Sequence, residues 1–266
     1  MLDARAIADD LATAERERKP LAPFTDVHPD LDLATAYEAQ WLAVRDRIER
    51  GERLIGAKLG LTSRAKQEAM GVAEPLYGWL TSGMLADPGA PLDLDQLIAP
   101  RVEPEIAFLL GRDLEAPASI TSVLAATEAV FGALEILDSR YENFRFKLAD
   151  VVADNASAAG VVLGPVSRPP SALEDLRLLG CVLRDGGQVT ATAAGAAVMG
   201  HPAAAICWLV RRLASGSGPA GLPAGSIVLS GGLTAPVPLI PGGVVTAEFD
   251  GLGTVEAHAS GAAGGR

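Results

Sequence analysis

The sequence predicts an α+β protein in which a helical N-terminal region precedes a β-rich domain. In the first third of the chain, apolar residues recur three or four positions apart among Asp, Glu and Arg, which is typical of amphipathic helices. From about Leu54 the chain changes to short apolar runs with β-branched residues and Gly-rich turns, a pattern that indicates strands. With 266 residues, of which 49% are hydrophobic and 21% charged, the chain can bury a large core without disulfides or structural metals.

The N-terminal region is predicted to contain two helices joined by the Pro-containing link of residues 19–32. The apolar positions at helical spacing are Ala6, Leu11, Leu31, Ala34, Tyr37, Trp41 and Val44. We therefore assign residues 1–53 to a helical N-terminal region and residues 54–260 to a β-rich domain. Residues 261–266 (GAAGGR) are expected to form a flexible tail, because they are too few and too small to fold.

Four segments of the β-rich domain have patterns that bear on their secondary structure. Pro100–Gly111 reads as a strand, whereas Glu128–Leu137 fits either a helix or a strand. Pro202–Leu213 reads as an amphipathic helix with Pro in its first turn. Residues 226–259, in the last third of the chain, have the strand–turn–strand pattern of a β-rich fold.

Charge and composition exclude several classes of function. A formal net charge of -11 with no stripe of Lys and Arg argues against nucleic-acid binding. The acidic start lacks the features of an export signal, and the apolar stretch Ala193–Val210 is interrupted by Gly200 and Pro202, so neither export nor membrane insertion is expected. Cys181 and Cys207 lie in apolar runs, as reduced core cysteines do. We expect a cytoplasmic protein.

Three carboxylates form a candidate metal site. Glu103 and Glu105 are two positions apart on a predicted strand and therefore share a face, and Glu135 lies in an apolar run where a lone charge is costly. Three carboxylates without a Cys or His cluster favour a hard cation, Mg²⁺ or Mn²⁺. Alternatively, Glu103 and Glu105 line the solvated face of an edge strand and Glu135 pairs with Arg140 or Arg101.

Other candidate functional residues have ordinary structural explanations as well. Lys58 lies among apolar and Gly residues, where it could donate a proton or bind an anion, or could extend to the surface. The segment from Asp150 to Ser157 could form a structural turn or a binding loop. Gly231 and Gly232 could bring backbone N–H groups close to an anionic ligand, or simply form a bend. The three histidines are too far apart in sequence to indicate a zinc site or a triad.

Six segments taken in order resemble the 2-oxopent-4-enoate hydratase / 4-oxalocrotonate decarboxylase family of the fumarylacetoacetate hydrolase superfamily. They are GAKLGLTSRAKQEAMGV, EPLYGWLTSGM, PRVEPEIAFLLGRDL, ALEILDSRYENF, VVADNASAAGVVLG and the stretch from AGSIVLSGGLTAPVPL to EFDGLGTV. The resemblance implies a fumarylacetoacetate hydrolase-like catalytic domain. It also implies that Glu103, Glu105 and Glu135 hold Mg²⁺ or Mn²⁺, that Lys58 is catalytic and that Ser157 lies in the substrate pocket.

Within that family, three segments of this chain resemble decarboxylases. Leu76 stands where hydratases usually have an Asp, and residues 139–144 and 230–235 look like the decarboxylase versions. We place Leu76, Gly231 and Gly232 with Ser157 in the predicted substrate site. The implied reaction converts 2-oxohex-3-enedioate (4-oxalocrotonate) to 2-hydroxypenta-2,4-dienoate through a metal-bound dienolate.

The sequence is also compatible with other functions. The main alternative is a hydratase acting on 2-hydroxypenta-2,4-dienoate, with an acylpyruvate hydrolase and a catalytically silent partner subunit as further possibilities. Hydration or hydrolysis needs a base near Lys58, for which Asp26, His28 and Glu74 are candidates. The resemblance further implies a small 2-oxo acid substrate, a homo-oligomer, a complex with a cognate hydratase, and a place in the meta-cleavage pathway of aromatic hydrocarbon catabolism.

Overall fold

The N-terminal region is helical in the computed structural model, which describes residues 2–87 and 89–260. Its helices are α1 (Ala4–Glu17), α2 (Phe24–Val27) and α3 (Leu33–Glu49). The two long helices were predicted, whereas α2 is an additional short helix inside the predicted link. Ile7, rather than the predicted Ala6, lies on the buried face of α1, because Ala is a weak marker of which face is apolar.

The rest of the described chain alternates strands with short helices. In chain order these are β1 (Leu54–Gly60), α4 (Arg64–Met70), β2 (Leu76–Thr81), β3 (Leu92–Asp93), β4 (Arg101–Leu110), α5 (Ile120–Ala126), β5 (Thr127–Leu137), α6 (Leu148–Ala153), β6 (Ala158–Arg168), β7 (Gly180–Asp185), β8 (Gln188–Ala194), α7 (Pro202–Leu213), β9 (Ile227–Leu229), β10 (Val237–Pro238), β11 (Val244–Phe249) and β12 (Gly253–Ser260). The predicted α+β fold class is confirmed.

The strands form two mixed sheets. One has seven strands in the order β2-β1-β9-β4-β5-β6, with β10 beside β4, and the other has five in the order β3-β12-β11-β7-β8. The sheets contact each other closely: a side chain at Gly132 on β5 would overlap the ring of Phe249, and a Cβ at Gly164 on β6 would lie 2.8 Å from the Val255 side chain. Glycine at these two positions therefore lets the sheets approach.

The segments with readable patterns mostly form the predicted elements. β4 lies within the predicted strand Pro100–Gly111, and α7 spans the predicted helix Pro202–Leu213. The ambiguous segment Glu128–Leu137 is a strand, because it is hydrogen-bonded to β4 on one edge and to β6 on the other. Cys181 and Cys207 are buried and unpaired, as predicted.

The helical region is attached to the larger sheet by a buried amide. Gln40 on α3 donates its side-chain N–H groups to the backbone carbonyl oxygens of Tyr77 on β2, at 3.0 Å, and Val152 on α6, at 2.8 Å. The division at residues 1–53 and 54–260 stays a prediction, and the predicted tail lies outside the described residues. Over the part of the chain described, every helix is too short or too polar to cross a membrane.

Candidate active site

Three buried carboxylates lie on one face of the larger sheet. Glu103 and Glu105 are alternate residues of β4, and Glu135 on β5 is the direct cross-strand neighbour of Glu103. The three residues are 6%, 0% and 1% exposed, respectively. Their pleat positions bring together the three glutamates that the sequence predicted as a metal site.

Two lysine ammonium groups neutralise part of this negative charge. Lys58 on β1 is 2% exposed, and its Nζ lies 2.8 Å from Glu135 Oε1 and donates to the Ala156 carbonyl oxygen at 3.0 Å. Lys66 on α4 donates to both oxygens of Glu103, at 2.8 and 3.1 Å, and its side chain is 24% exposed. The surface alternative for Lys58 is wrong, since the side chain points into the site.

The alternative partners considered for Glu135 are engaged elsewhere. Arg140 forms a buried ion pair with Asp154, and the Arg101 guanidinium carbon lies 4.0 Å from the centre of the Phe144 ring. Glu135 therefore belongs to the carboxylate–lysine cluster rather than to a separate structural ion pair.

The third carboxylate has the least compensation. The Gly231 backbone N–H donates to Glu105 Oε2 at 2.6 Å, and Glu105 Oε1 has no hydrogen-bond partner among the described residues. Burial, followed by the charges of Glu135 and Glu103, raises the pKa of Glu105 well above its ordinary value. Burial also raises the pKa of Glu135, although the Lys58 ammonium opposes this shift.

Gly231 and Gly232 make room for these carboxylates. A side chain at Gly232 would overlap the Glu103 carboxylate, and one at Gly231, where φ is +112°, would overlap Thr62. From the sequence, these N–H groups could approach an anionic ligand or the glycines could simply form a bend; in the structure the Gly231 N–H donates to Glu105, an anion of the protein itself. Their predicted part in substrate binding stays a prediction.

A cavity of about 460 Å³ opens beside the cluster. Its wall combines the polar cluster with an apolar side, formed by Lys58, Leu59, Gly60, Leu61, Lys66, Met70, Leu76, Arg101, Glu103, Glu135, Leu137, Phe144, Phe146, Val151, Ala156, Ser157, Ala235 and Pro236. Ser157 donates its hydroxyl to Asp154 Oδ2 at 3.2 Å. Leu76 and Ser157 thus line the same cavity as Lys58, whereas Glu105, Gly231 and Gly232 are not among its lining residues.

The donor set suits a hard divalent cation. Carboxylate oxygens are the ligands that such cations prefer, and the buried Oε1 of Glu105 lacks a partner. As arranged here, the described residues contain no group of three or more His, Cys, Asp or Glu side chains ready to hold a metal ion. In this arrangement Lys66 contacts Glu103 and Lys58 contacts Glu135. Lys66 is the more exposed of the two ammonium groups, with 24% of its side chain accessible against 3% for Lys58.

The sequence did not predict that Lys66, Arg101 and Phe144 line the cavity. The signal for Lys66 was its position eight residues after Lys58 in the same motif, but only the placement of α4 brings it to Glu103. The three candidate bases for hydration do not line the cavity. Asp26 pairs with Arg145 at 2.8 Å, which leaves it on the surface.

Comparisons with known proteins agree with this architecture. The family model "Fumarylacetoacetate (FAA) hydrolase C-terminal" matches residues 55–259. The chain is 41% identical over 254 residues to a 4-oxalocrotonate decarboxylase of Pseudomonas sp. (strain CF600), covering 95% of each chain. It is 40% identical over 249 residues to a 2-keto-4-pentenoate hydratase of Paraburkholderia xenovorans (strain LB400), covering 93% of this chain and 91% of the hydratase.

A solved structure has the same fold over nearly its whole length. It is the 4-oxalocrotonate decarboxylase of Pseudomonas putida G7 in complex with magnesium and adipate, which superimposes with a TM-score of 0.91 at 38% identity and covers 96% of this chain and 97% of that chain. The predicted family resemblance is confirmed by these matches. The chain therefore belongs to the fumarylacetoacetate hydrolase family.

Proposed function

We propose that this protein is a lyase that decarboxylates 2-oxohex-3-enedioate to 2-hydroxypenta-2,4-dienoate with Mg²⁺ or Mn²⁺ as cofactor. The observation that carries the proposal is the composition of the cavity wall. One end holds the carboxylate–lysine cluster, and Leu76 occupies the position where the hydratase pattern has an acid. The relatives include decarboxylases and hydratases. The Pseudomonas putida G7 decarboxylase binds magnesium together with a six-carbon dicarboxylate, adipate.

Glu103, Glu105 and Glu135 are the residues that would hold the metal. When bound, a divalent cation would polarise the 2-oxo group of the substrate and offset the negative charge that develops there. Lys58 lies on the same wall as this cluster and can contact the 2-oxo oxygen of a substrate seated in the cavity. The cluster thus favours binding of a 2-oxo acid through its polar end.

The reaction requires a proton at one oxygen atom only. As the C5–C6 bond breaks, the distal carboxylate leaves as CO₂ and the electron pair runs through the conjugated chain to the 2-oxo oxygen. The Lys58 ammonium stabilises that negative charge and supplies the proton that yields the 2-hydroxy group. Its contacts with Glu135 Oε1 and the Ala156 carbonyl oxygen orient it for this role.

The apolar side of the cavity favours decarboxylation over hydration. A hydratase must position a water molecule and remove its proton. Among the described residues of the cavity wall, Glu103 and Glu135 are the only carboxylates and there is no histidine, and both carboxylates belong to the proposed metal site. Leu76, Phe146 and Val151 leave the departing carboxylate poorly hydrated, which disfavours its charged ground state.

The proposal also covers the partners of the protein and its pathway. We propose a homo-oligomer that also associates with a cognate hydratase, because the decarboxylation product is the substrate of that enzyme. The corresponding pathway is the meta-cleavage route of aromatic catabolism.

The test is to incubate the protein with 2-oxohex-3-enedioate and Mg²⁺ while recording CO₂ release and product mass. We expect CO₂ and 2-hydroxypenta-2,4-dienoate, with no activity after EDTA treatment and recovery on adding Mg²⁺ or Mn²⁺. The Leu76→Asp variant should decarboxylate more slowly, since it places a carboxylate in an apolar wall. Rapid hydration of the dienoate without CO₂ release from the hexenedioate would overturn the assignment in favour of the hydratase.

A further inference from the structure

A left-handed turn of three consecutive residues lies directly against Lys58. Asn155, Ala156 and Ser157 have φ values of +47°, +56° and +57°, and all three are buried. This conformation is unfavourable for residues other than glycine, and a run of three costs several times the penalty of one. Such a turn persists only where its surroundings hold it.

The side chain of Asn155 provides the most direct hold on this turn. Its Oδ1 accepts from the Trp79 backbone N–H at 2.8 Å, and its Nδ2 donates to the Trp79 carbonyl oxygen at 2.9 Å. The amide therefore pairs with both backbone groups of one residue of β2, as a neighbouring strand would. A Cβ at Gly78 would lie 2.5 Å from the Asn155 carbonyl oxygen, so β2 accommodates the turn only with glycine there.

The rest of the turn is held from its other side. Asp154, which precedes the turn, forms a buried ion pair with Arg140 and accepts from the Ser157 hydroxyl at 3.2 Å. The Asp138 backbone N–H donates to the Ser157 carbonyl oxygen at 2.9 Å. The carbonyl left to face the active site is that of Ala156, and it accepts from Lys58 Nζ at 3.0 Å.

We propose that Asn155 is a positioning residue for the reaction, because its pairing with Trp79 holds the turn that aims the Ala156 carbonyl at the Lys58 ammonium. The inference rests on the proposed function for the part Lys58 plays in turnover. It adds a residue that is not among those lining the cavity and whose side chain bonds to Trp79. Asn155 acts through the backbone, and Lys58 receives one of its two orienting contacts as a result.

The experiment compares Asn155→Ala with Gln40→Ala. Gln40 is a matched control, since its buried amide also makes two hydrogen bonds to the backbone, one of them to β2, but it does not touch the turn. Both variants should lose thermal stability. Only Asn155→Ala should lower kcat, by about 10- to 100-fold, the scale of a slightly misplaced catalytic group. KM should change less than about twofold, because ground-state binding is retained.

A second readout does not depend on the substrate. The metal-free proteins are labelled with a small amine-acylating reagent, and the rate of modification at Lys58 is followed by mass spectrometry. Asn155→Ala should label several-fold faster than the wild type and Gln40→Ala, since the ammonium is no longer held against the turn. If the wild type does not act on the hexenedioate but the labelling difference is still present, the proposed function is wrong and the positioning role of Asn155 stands.

Unchanged kcat and unchanged Lys58 labelling in folded Asn155→Ala would overturn the proposal. Equal changes of kcat and of the Lys58 labelling rate in Asn155→Ala and Gln40→Ala would also overturn it, because a general loss of stability would then explain both. If Asn155→Ala does not fold, Asn155→Ser, which keeps one polar group facing Trp79, is measured with the same two readouts and judged by the same outcomes.

Discussion

Two ion pairs of this molecule, one on each sheet, differ sharply in their exposure to water. On the five-stranded sheet, Arg184 and Glu248 form a 2.6 Å ion pair with side chains 35% and 46% exposed. On the larger sheet, Lys58 and Glu135 form a 2.8 Å pair with side chains 3% and 1% exposed. Water solvates the first pair in both folded and unfolded chains, whereas the second has lost its hydration and lies beside two further carboxylates.

The exposed pair has little effect on the free energy of unfolding, whereas the buried charges lower it. Desolvation and like-charge repulsion make the glutamate cluster unfavourable for stability. Nothing comparable acts on the exposed pair. A buried group of three carboxylates with two lysines is therefore best explained by what it binds, and the following substitutions test that difference in order of decreasing effect.

Glu103→Gln should have the largest effect on activity. Loss of one carboxylate from the proposed metal site should lower kcat by about 10²- to 10³-fold or more. The free energy of unfolding should not fall, because the partner ammonium of Lys66 is partly exposed and can be hydrated. Turnover of 2-oxohex-3-enedioate and urea unfolding check both expectations. Glu248→Gln, the matched change on the other sheet, should leave turnover unaltered, and equal losses in the two variants would contradict the comparison.

Lys58→Ala should lower kcat by about 10²-fold, the scale of a lost acid or charge-stabilising group. The metal affinity should change little, since the three carboxylates remain. Steady-state kinetics and calorimetric titration with Mg²⁺ measure the two quantities. Lys19→Ala serves as a control, because the Lys19 side chain is 78% exposed and does not line the cavity. Normal kcat in Lys58→Ala would remove this residue from the mechanism.

Metal binding should release a proton and strengthen as the pH rises. Burial and the neighbouring glutamates raise the pKa of Glu105 well above its ordinary value of 4.5, so a cation bound there should compete with a proton. For the same reason, the stability contributed by this group in the metal-free protein is present at low pH and declines as the pH rises from 4.5 through the folded pKa.

Calorimetric titration with Mg²⁺ in buffers of different ionisation enthalpy measures the proton release, and urea unfolding of the metal-free protein measures the change in stability. Glu105→Gln should reduce the proton release, and Glu135, whose pKa burial also raises, should account for the remainder. Metal binding whose affinity is independent of pH would show that the site is already ionised before the cation arrives.

Arg184→Ala should have the smallest effect. The exposed pair with Glu248 contributes only about 0.2–1 kcal/mol to the free energy of unfolding, and salt reduces that contribution further. Urea unfolding at low and high salt, together with kcat, is the measurement. A loss well above this range would mean that the surface pair is not the inert reference that its exposure indicates.

Much of the architecture could be predicted from local patterns. The α+β class, the strand with Glu103 and Glu105, and the helix Pro202–Leu213 follow from apolar periodicity and from the positions of Pro and Gly. The short helix α2 and the strand β5 did not follow in the same way, because a short apolar segment fits both kinds of element until its neighbours provide hydrogen-bond partners.

For the candidate site, the sequence by itself determined the residue types and one part of the geometry. Glu103 and Glu105 had to share a face, since side chains alternate along a strand. Glu135 and Lys58 stood out as charged residues in apolar surroundings, and family motifs added Leu76 and the pocket position of Ser157. Only the tertiary structure decided that Glu135 lies opposite Glu103, that Lys66 binds Glu103, and that Asn155 pairs with Trp79. Local pattern sets which face a side chain takes, whereas strand register, helix placement and burial depend on contacts between segments far apart in the chain.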